Sequence, residues 1–308
     1  MSEGPAVDLS VEVGSVVLSN PIMTASGTAG HGAELSRYVD LARLGAVVVK
    51  SLSQDPWPGN SSPRLHGAGV GMVNAVGLQG PGMTAWLADD LPVLRRCGAR
   101  VVASIWGRRV VDYERAATTL RGAAGVVALE VNVSCPNLED RSHMFAHSPN
   151  ATADAVAAAS AAGLPMWVKL SPTTPDLVEI AAAARGAGAD AVTLCNTSLG
   201  MAIDVDRGVP VLANGGGGLS GPPVHAIAVR AVHDVHAAHP DLPIIGVGGV
   251  SRGVDAVELA LAGASAVQVG TATLAEPRAV IRILTEVERW CADRDVASFR
   301  QLIGGAHA

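Results

Sequence analysis

The sequence predicts an α/β fold, a TIM (β/α)8 barrel with an N-terminal β-hairpin and long active-site loop insertions. Three observations predict it. Eight short apolar runs recur, each ending in Gly, Ser, Asn or Lys and each followed by a stretch with helical spacing. The runs are apolar at nearly every position, as parallel strands buried on both faces require. With 308 residues, 49% hydrophobic and 16% charged, the chain can bury one large core, and no linker divides it, so residues 1–308 are read as one domain.

In chain order, a hairpin over Val11–Leu18 precedes the apolar runs Ile22–Ala25, Ala46–Lys50, Val101–Ile105, Val126–Val133, Met166–Leu170, Ala191–Cys195, Ile244–Val247 and Ala266–Val269. Stretches such as Ala151–Ala162, Asp176–Ala187, Pro222–Ala238 and Val254–Ala262 carry charges at helical spacing and glycines near their ends. Two stretches break the alternation, Ser51–Met83 and Thr197–Ser220, both rich in Gly, Asn, Ser and Pro. They are expected to be long loops covering an active site, with the four glycines Gly215 to Gly218 as a mobile loop.

A net charge of −6 and the absence of any block of like charges argue against a nucleic-acid or anionic-membrane surface, leaving small molecules or proteins as partners. No run approaches the roughly 18 apolar residues of a membrane span, and the first residues do not resemble a signal peptide, so a cytoplasmic protein is expected. Cys97, Cys135, Cys195 and Cys291 are too widely spaced for a disulfide framework, zinc or an iron–sulfur cluster. Cys97, Cys195 and Cys291 read as small buried hydrophobes. His233, His236 and His239 read as a solvated helix end rather than a metal site, and His143 and His147 have no nameable partner. The spacing Gly216, Gly218, Gly221 matches a dinucleotide fingerprint, but no ribose-binding acid follows it.

In a barrel the chemistry gathers where strands end. Those positions hold Ser26, Lys50 with Ser51, Ser104, the stretch Asn132 to Asn137, Lys169, Asn196 with Thr197, Gly248 with Gly249, and Gly270 with Thr271. Of the 22 basic residues only Lys50 and Lys169 are lysines, and both end apolar runs, which marks places where a compact ammonium is needed. The glycine pairs of the last two units suit a phosphate held by backbone N–H groups. Cys135 follows its strand directly, before a proline, and is the one cysteine placed to act as a base or nucleophile.

Asn20-Pro-Ile-Met-Thr-Ala-Ser-Gly-Thr, Asn74-Ala-Val-Gly-Leu-Gln, Asn132-Val-Ser-Cys-Pro-Asn, Val168-Lys-Leu-Ser-Pro and Gly217-Gly-Leu-Ser-Gly-Pro together resemble the class 1 dihydroorotate dehydrogenases over nearly the whole chain. Cysteine at position 135 points to class 1, since the membrane-associated class 2 enzymes carry serine there. Gly200-Met-Ala-Ile-Asp is most similar to the class 1B catalytic subunit, which passes electrons to a separate FAD and 2Fe–2S subunit. The resemblance implies oxidation of dihydroorotate to orotate in pyrimidine biosynthesis, NAD+ as final acceptor, a homodimer, and no nucleic-acid or membrane partner. It implies FMN with its phosphate on Gly221, Gly248, Gly249, Gly270 and Thr271, and its ring system near Ser26, Lys50, Ser51, Ser104, Asn132, Lys169 and Cys195. Substrate would be held by Lys50, Asn132, Asn137, Asn196, Thr197 and the segment Asn74, Ala75, Val76, Gly77, Leu78. Cys135 would be the base at C5 while C6 delivers hydride. Ser104 stands where the family usually has Asn, Gly80 where Asn is usual, Cys195 for a typical Ile, and Ala29 and His31 for aromatic residues. Two alternatives stay open here: a dihydropyrimidine dehydrogenase-type reductase, and a flavin-binding subunit without turnover.

Overall fold

The computed structural model describes residues 7–134 and 144–307. Eight parallel strands form the central sheet: β1 (Ile22–Thr24), β2 (Val47–Val48), β3 (Val101–Ile105), β4 (Val126–Asn132), β5 (Met166–Lys169), β6 (Ala191–Leu194), β7 (Ile244–Val247) and β8 (Ala266–Val269). Their order is β1-β8-β7-β6-β5-β4-β3-β2, and a parallel bridge between Met23 and Ala46 joins the two ends into a barrel. Almost every strand residue is buried, because the inner face meets the barrel interior and the outer face meets helices. The hairpin Val11–Val13 with Val16–Leu18 turns at Gly14, whose φ of +60° suits glycine, and it buries Val11, Val13 and Leu18 in the main core.

The helices sit where the helical spacing predicts. Pro149–Ala159 begins with Ser148 accepting from the Ala151 N–H at 3.3 Å and with proline in its first turn. Gly253–Leu261 begins over Asp255, whose carboxylate accepts from the N–H groups of Ser251 and Arg252, both at 2.9 Å. Ala279–Ala292 buries Val280, Ile283, Leu284, Val287 and Cys291, a stripe at spacings of three and four.

The two insertions differ from the expectation of loops. Strands from both pair into one antiparallel sheet, ordered Ser198–Gly200, Gly217–Ser220, Gly71–Asn74, Leu65–Ala68. The glycines that read as a mobile loop are thus partly a strand. Glycine is required there by close approach: a Cβ on Gly217 would run into the Asn74 carbonyl, and one on Gly218 would lie 2.6 Å from Thr197 Cβ. The histidines of helix His225–Ala238 are also more enclosed than a solvated end. His233 stacks on His307 with ring centroids 4.1 Å apart, His236 Nδ1 is buried, and His239 Nε2 lies 3.3 Å from the Val178 carbonyl. Among the described residues no helix is long and apolar enough to cross a membrane.

Candidate active site

A cavity of about 410 Å³ opens at the C-terminal ends of the barrel strands, roofed by the insertion sheet. That is the end of the barrel where ligand sites form, and the volume falls in the range of small-molecule pockets. Its floor is polar. Ser26, Lys50, Ser51, Asn132 and Lys169 line it, as do Asn196 and Thr197 from the end of β6. Ser51 is the hub: its Oγ lies 3.1 Å from Ser26 Oγ and 2.9 Å from Ser104 Oγ, and it accepts from Asn132 Nδ2 at 3.0 Å. The Asn132 carbonyl oxygen of the side chain accepts from Ser134 N and Oγ, both at 3.2 Å, which fixes the amide's orientation. Asn196 Nδ2 in turn donates to Ser134 O and Oγ, at 3.0 and 3.1 Å, while its oxygen accepts from the Thr197 N–H at 2.8 Å.

Beneath this floor lies Glu130, an acid between the apolar residues Leu129 and Val131 of strand β4 and fully buried. Its carboxylate accepts from Ser104 Oγ at 3.1 Å, Gln268 Nε2 at 2.8 Å and Thr193 Oγ1 at 3.5 Å. Lys169 Nζ stands 4.0 Å from its Oε1. Glu130 and Gln268 lie inside their strands rather than at the ends, so the strand-end pattern does not single them out, although a lone acid inside a run with no solvent-facing position is a visible signal, since a buried charge must be paired.

The segment after Gly71–Asn74 forms one wall. Asn74, Val76, Gly77 and Leu78 reach the cavity, and Asn74 Nδ2 donates to the Gly218 carbonyl at 3.2 Å. Leu78 has φ of +62°, a costly conformation for a bulky residue, held where Leu78 packs on Trp106 and Trp57. Two expected site residues do not reach the cavity. Ala75 points into a small apolar cluster with Val73 and Leu212, because side chains alternate along the segment, and Ser104 sits one layer below, behind Ser51. Cys135 and Asn137 lie outside the described residues.

At the far end, Gly221, Gly248, Gly249, Gly270 and Thr271 line the cavity together. A Cβ on Gly248 would approach Ala228 Cβ to 2.6 Å and one on Gly249 would approach His225 Cβ to 2.6 Å, so glycine brings helix His225–Ala238 and this backbone together. The rim beyond carries Glu276 and Arg282, paired at 2.6 Å, with Glu286 at 2.8 Å from the same guanidinium. These two glutamates hold the Arg282 pKa up, Glu276 first.

Cys195 faces the cavity but is not a nucleophile. Burial pushes its pKa up to about 12, against a smaller opposing effect of the Lys169 charge, so it is a neutral thiol. His31 lies beside Lys50, its pKa lowered by burial and then by the Lys50 charge. Its Nε2 is buried without a partner, and a Cβ on Gly80 would stand 3.1 Å from it, so the small residue at 80 makes room for this imidazole.

A closed parallel barrel with a polar-floored, glycine-walled cavity at its strand ends defines a ligand-binding barrel of the enzyme type. The chain belongs to the dihydroorotate dehydrogenase family, whose profile matches residues 8–290. It is 46% identical over 297 residues to a protein of Trichlorobacter lovleyi named dihydroorotate dehydrogenase B (NAD(+)), catalytic subunit, covering 96% of this chain and 97% of the relative. Proteins of the same name from Geobacter sp. strain M21 and Desulforudis audaxviator are each 45% identical, over 298 and 302 residues, with at least 96% of each chain covered.

Proposed function

We propose that this chain oxidises (S)-dihydroorotate to orotate with FMN as its cofactor, and that its electrons pass to NAD+ through a separate FAD and 2Fe–2S subunit. The observation that carries the reading is convergence: the two lysines of the chain reach one cavity, together with Ser26, Ser51, Asn74, Asn132, Asn196 and Thr197. The residues present fit the cofactor. Glycines at 221, 248, 249 and 270 leave side-chain-free wall at one end, where backbone N–H groups and Thr271 would take the phosphate. Ser26, Lys50, Ser51, Asn132 and Lys169 would take the ring system, while Cys195 would only fill space beside it. FMN, when bound, supplies the hydride acceptor.

The chain's own residues do the rest. Lys169 brings a positive charge against the negative charge that reduction places on the cofactor, and Glu130 compensates that charge in the resting protein. Lys50 would meet the substrate carboxylate. Asparagine offers both donors and an acceptor, which suits a ring of alternating N–H and C=O, and Asn74, Asn132, Asn137 and Asn196 would hold it with Thr197 and the segment Val76, Gly77, Leu78. Cys135 would remove the proton from C5. Ser134, the residue before it in the sequence, is held by Asn132 and Asn196, two residues assigned to the substrate.

The relatives' name, a catalytic subunit with NAD(+), supports the partner subunit and the acceptor. A homodimer and a cytoplasmic setting belong to the same reading. Orotate formation by the purified, FMN-loaded chain with an artificial electron acceptor tests it; no orotate with any acceptor would reject it.

A further inference from the structure

The hydrogen bonds beneath the cavity floor have a direction, and Glu130 sets it. A carboxylate only accepts, so Ser104 must give its single proton to Glu130 Oε1, 3.1 Å away. Ser104 can then only accept along the 2.9 Å contact with Ser51, which makes Ser51 the donor. With its proton used, Ser51 accepts from Asn132 Nδ2 at 3.0 Å and from Ser26 at 3.1 Å, which completes the one donor and two acceptor positions of a hydroxyl. Ser26 therefore turns its proton inward. What it offers the cavity is lone pairs. Asn132, whose orientation is fixed independently by Ser134, keeps a second amide hydrogen beyond the one it gives to Ser51.

We propose that Glu130 is a positioning residue that polarises the chain Ser26–Ser51–Ser104, so that Ser26 meets a bound ring as a pure acceptor beside the Asn132 donor. A donor next to an acceptor complements the N–H and C=O edge of a cyclic amide or imide. Resting on the function proposed above, the inference assigns Ser26 to reading a ring N–H, a chemistry common to the flavin and to the dihydropyrimidine. The relay depends on serine at 104: asparagine there would present both a donor and an acceptor and would leave the direction open.

The test compares rings with and without the N–H. Affinities of the cofactor-free protein for FMN and for N3-methyl FMN form one arm, and those of the FMN-loaded protein for orotate and its N1- and N3-methyl derivatives form the other. Wild-type protein should prefer the N–H form by about tenfold or more in one arm, the order expected when a buried acceptor loses its donor. Glu130→Gln lets an amide donate to Ser104 and reverse the chain, and Ser104→Ala cuts it; both should reduce the preference to about threefold or less. A steric penalty of the methyl group would survive both, since neither residue lines the cavity. If Glu130→Gln fails to fold, Ser104→Ala alone decides. A preference unchanged in the variants, or absent from wild-type protein that binds the rings, overturns the inference alone. Wild-type protein that binds neither FMN nor orotate overturns the proposed function with it.

Discussion

Glu130 Oε1 lies 4.0 Å from Lys169 Nζ, on neighbouring strands, with the two side chains 0% and 6% exposed. The pair sets a positive charge in the cavity floor and a negative one beneath it, and the remaining carboxylate positions are taken by Ser104, Gln268 and Thr193. Desolvation offsets much of the attraction in such a pair, but removing one partner leaves the other charge buried alone.

Lys169→Met should therefore destabilise the protein by about 3–5 kcal/mol, read from urea unfolding. The double variant with Glu130→Gln should recover most of that loss, because no charge is then stranded. A single substitution costing nothing measurable would show that water reaches the pair.

Gly218→Ala places a methyl group 2.6 Å from Thr197 Cβ in the roof of the cavity. Thr197, the residue that this methyl group meets, must shift, while the glycines at the far end are untouched. The expected outcome is a KM for dihydroorotate raised by about tenfold with FMN content unchanged. Loss of FMN instead would move Thr197 from the substrate to the cofactor.

Cys135→Ser should keep FMN but lower turnover by about a hundredfold or more near neutral pH, since a serine hydroxyl is a far poorer proton acceptor than a thiolate. Stopped-flow reduction by dihydroorotate measures this directly. Kinetics like those of the wild type would remove the cysteine from the mechanism.

His236 gives a pH dependence of stability. Burial, then the neighbouring His307 and His233, lower its pKa in the folded protein below 6.5. Asp234 lies 3.5 Å from His233. The unfolded chain takes up this proton first as pH falls, so the contribution of a neutral His236 is complete above 6.5 and is lost as pH drops through 6.5 toward the lower folded value. Melting temperature should fall on acidification from about pH 8 to about pH 5, and less steeply in His236→Gln. Equal slopes for the two proteins would contradict the assignment.

The barrel was legible because burial on both faces turns each parallel strand into an unbroken apolar run, and seven of the polar ends that follow those runs do meet in one cavity. The insertion sheet was not legible. Its strands Gly71–Asn74 and Gly217–Ser220 owe their glycines to close backbone approach, and glycine in a sequence reads as a turn. Ser104 stands near the end of its strand in the sequence yet sits one layer below the cavity, and Ala75 faces away from it, because register along a strand end decides which side chains face inward. Glu130 was hidden by its apolar neighbours, although its charge is the feature those neighbours make costly.

The central claim is that this cavity oxidises dihydroorotate, and an anaerobic titration of the FMN-loaded protein tests it most directly. Dihydroorotate should bleach the visible flavin absorbance with a one-to-one endpoint and release orotate. A flavin that dithionite bleaches and dihydroorotate does not would contradict the claim, leaving the fold and the cofactor site standing without this substrate.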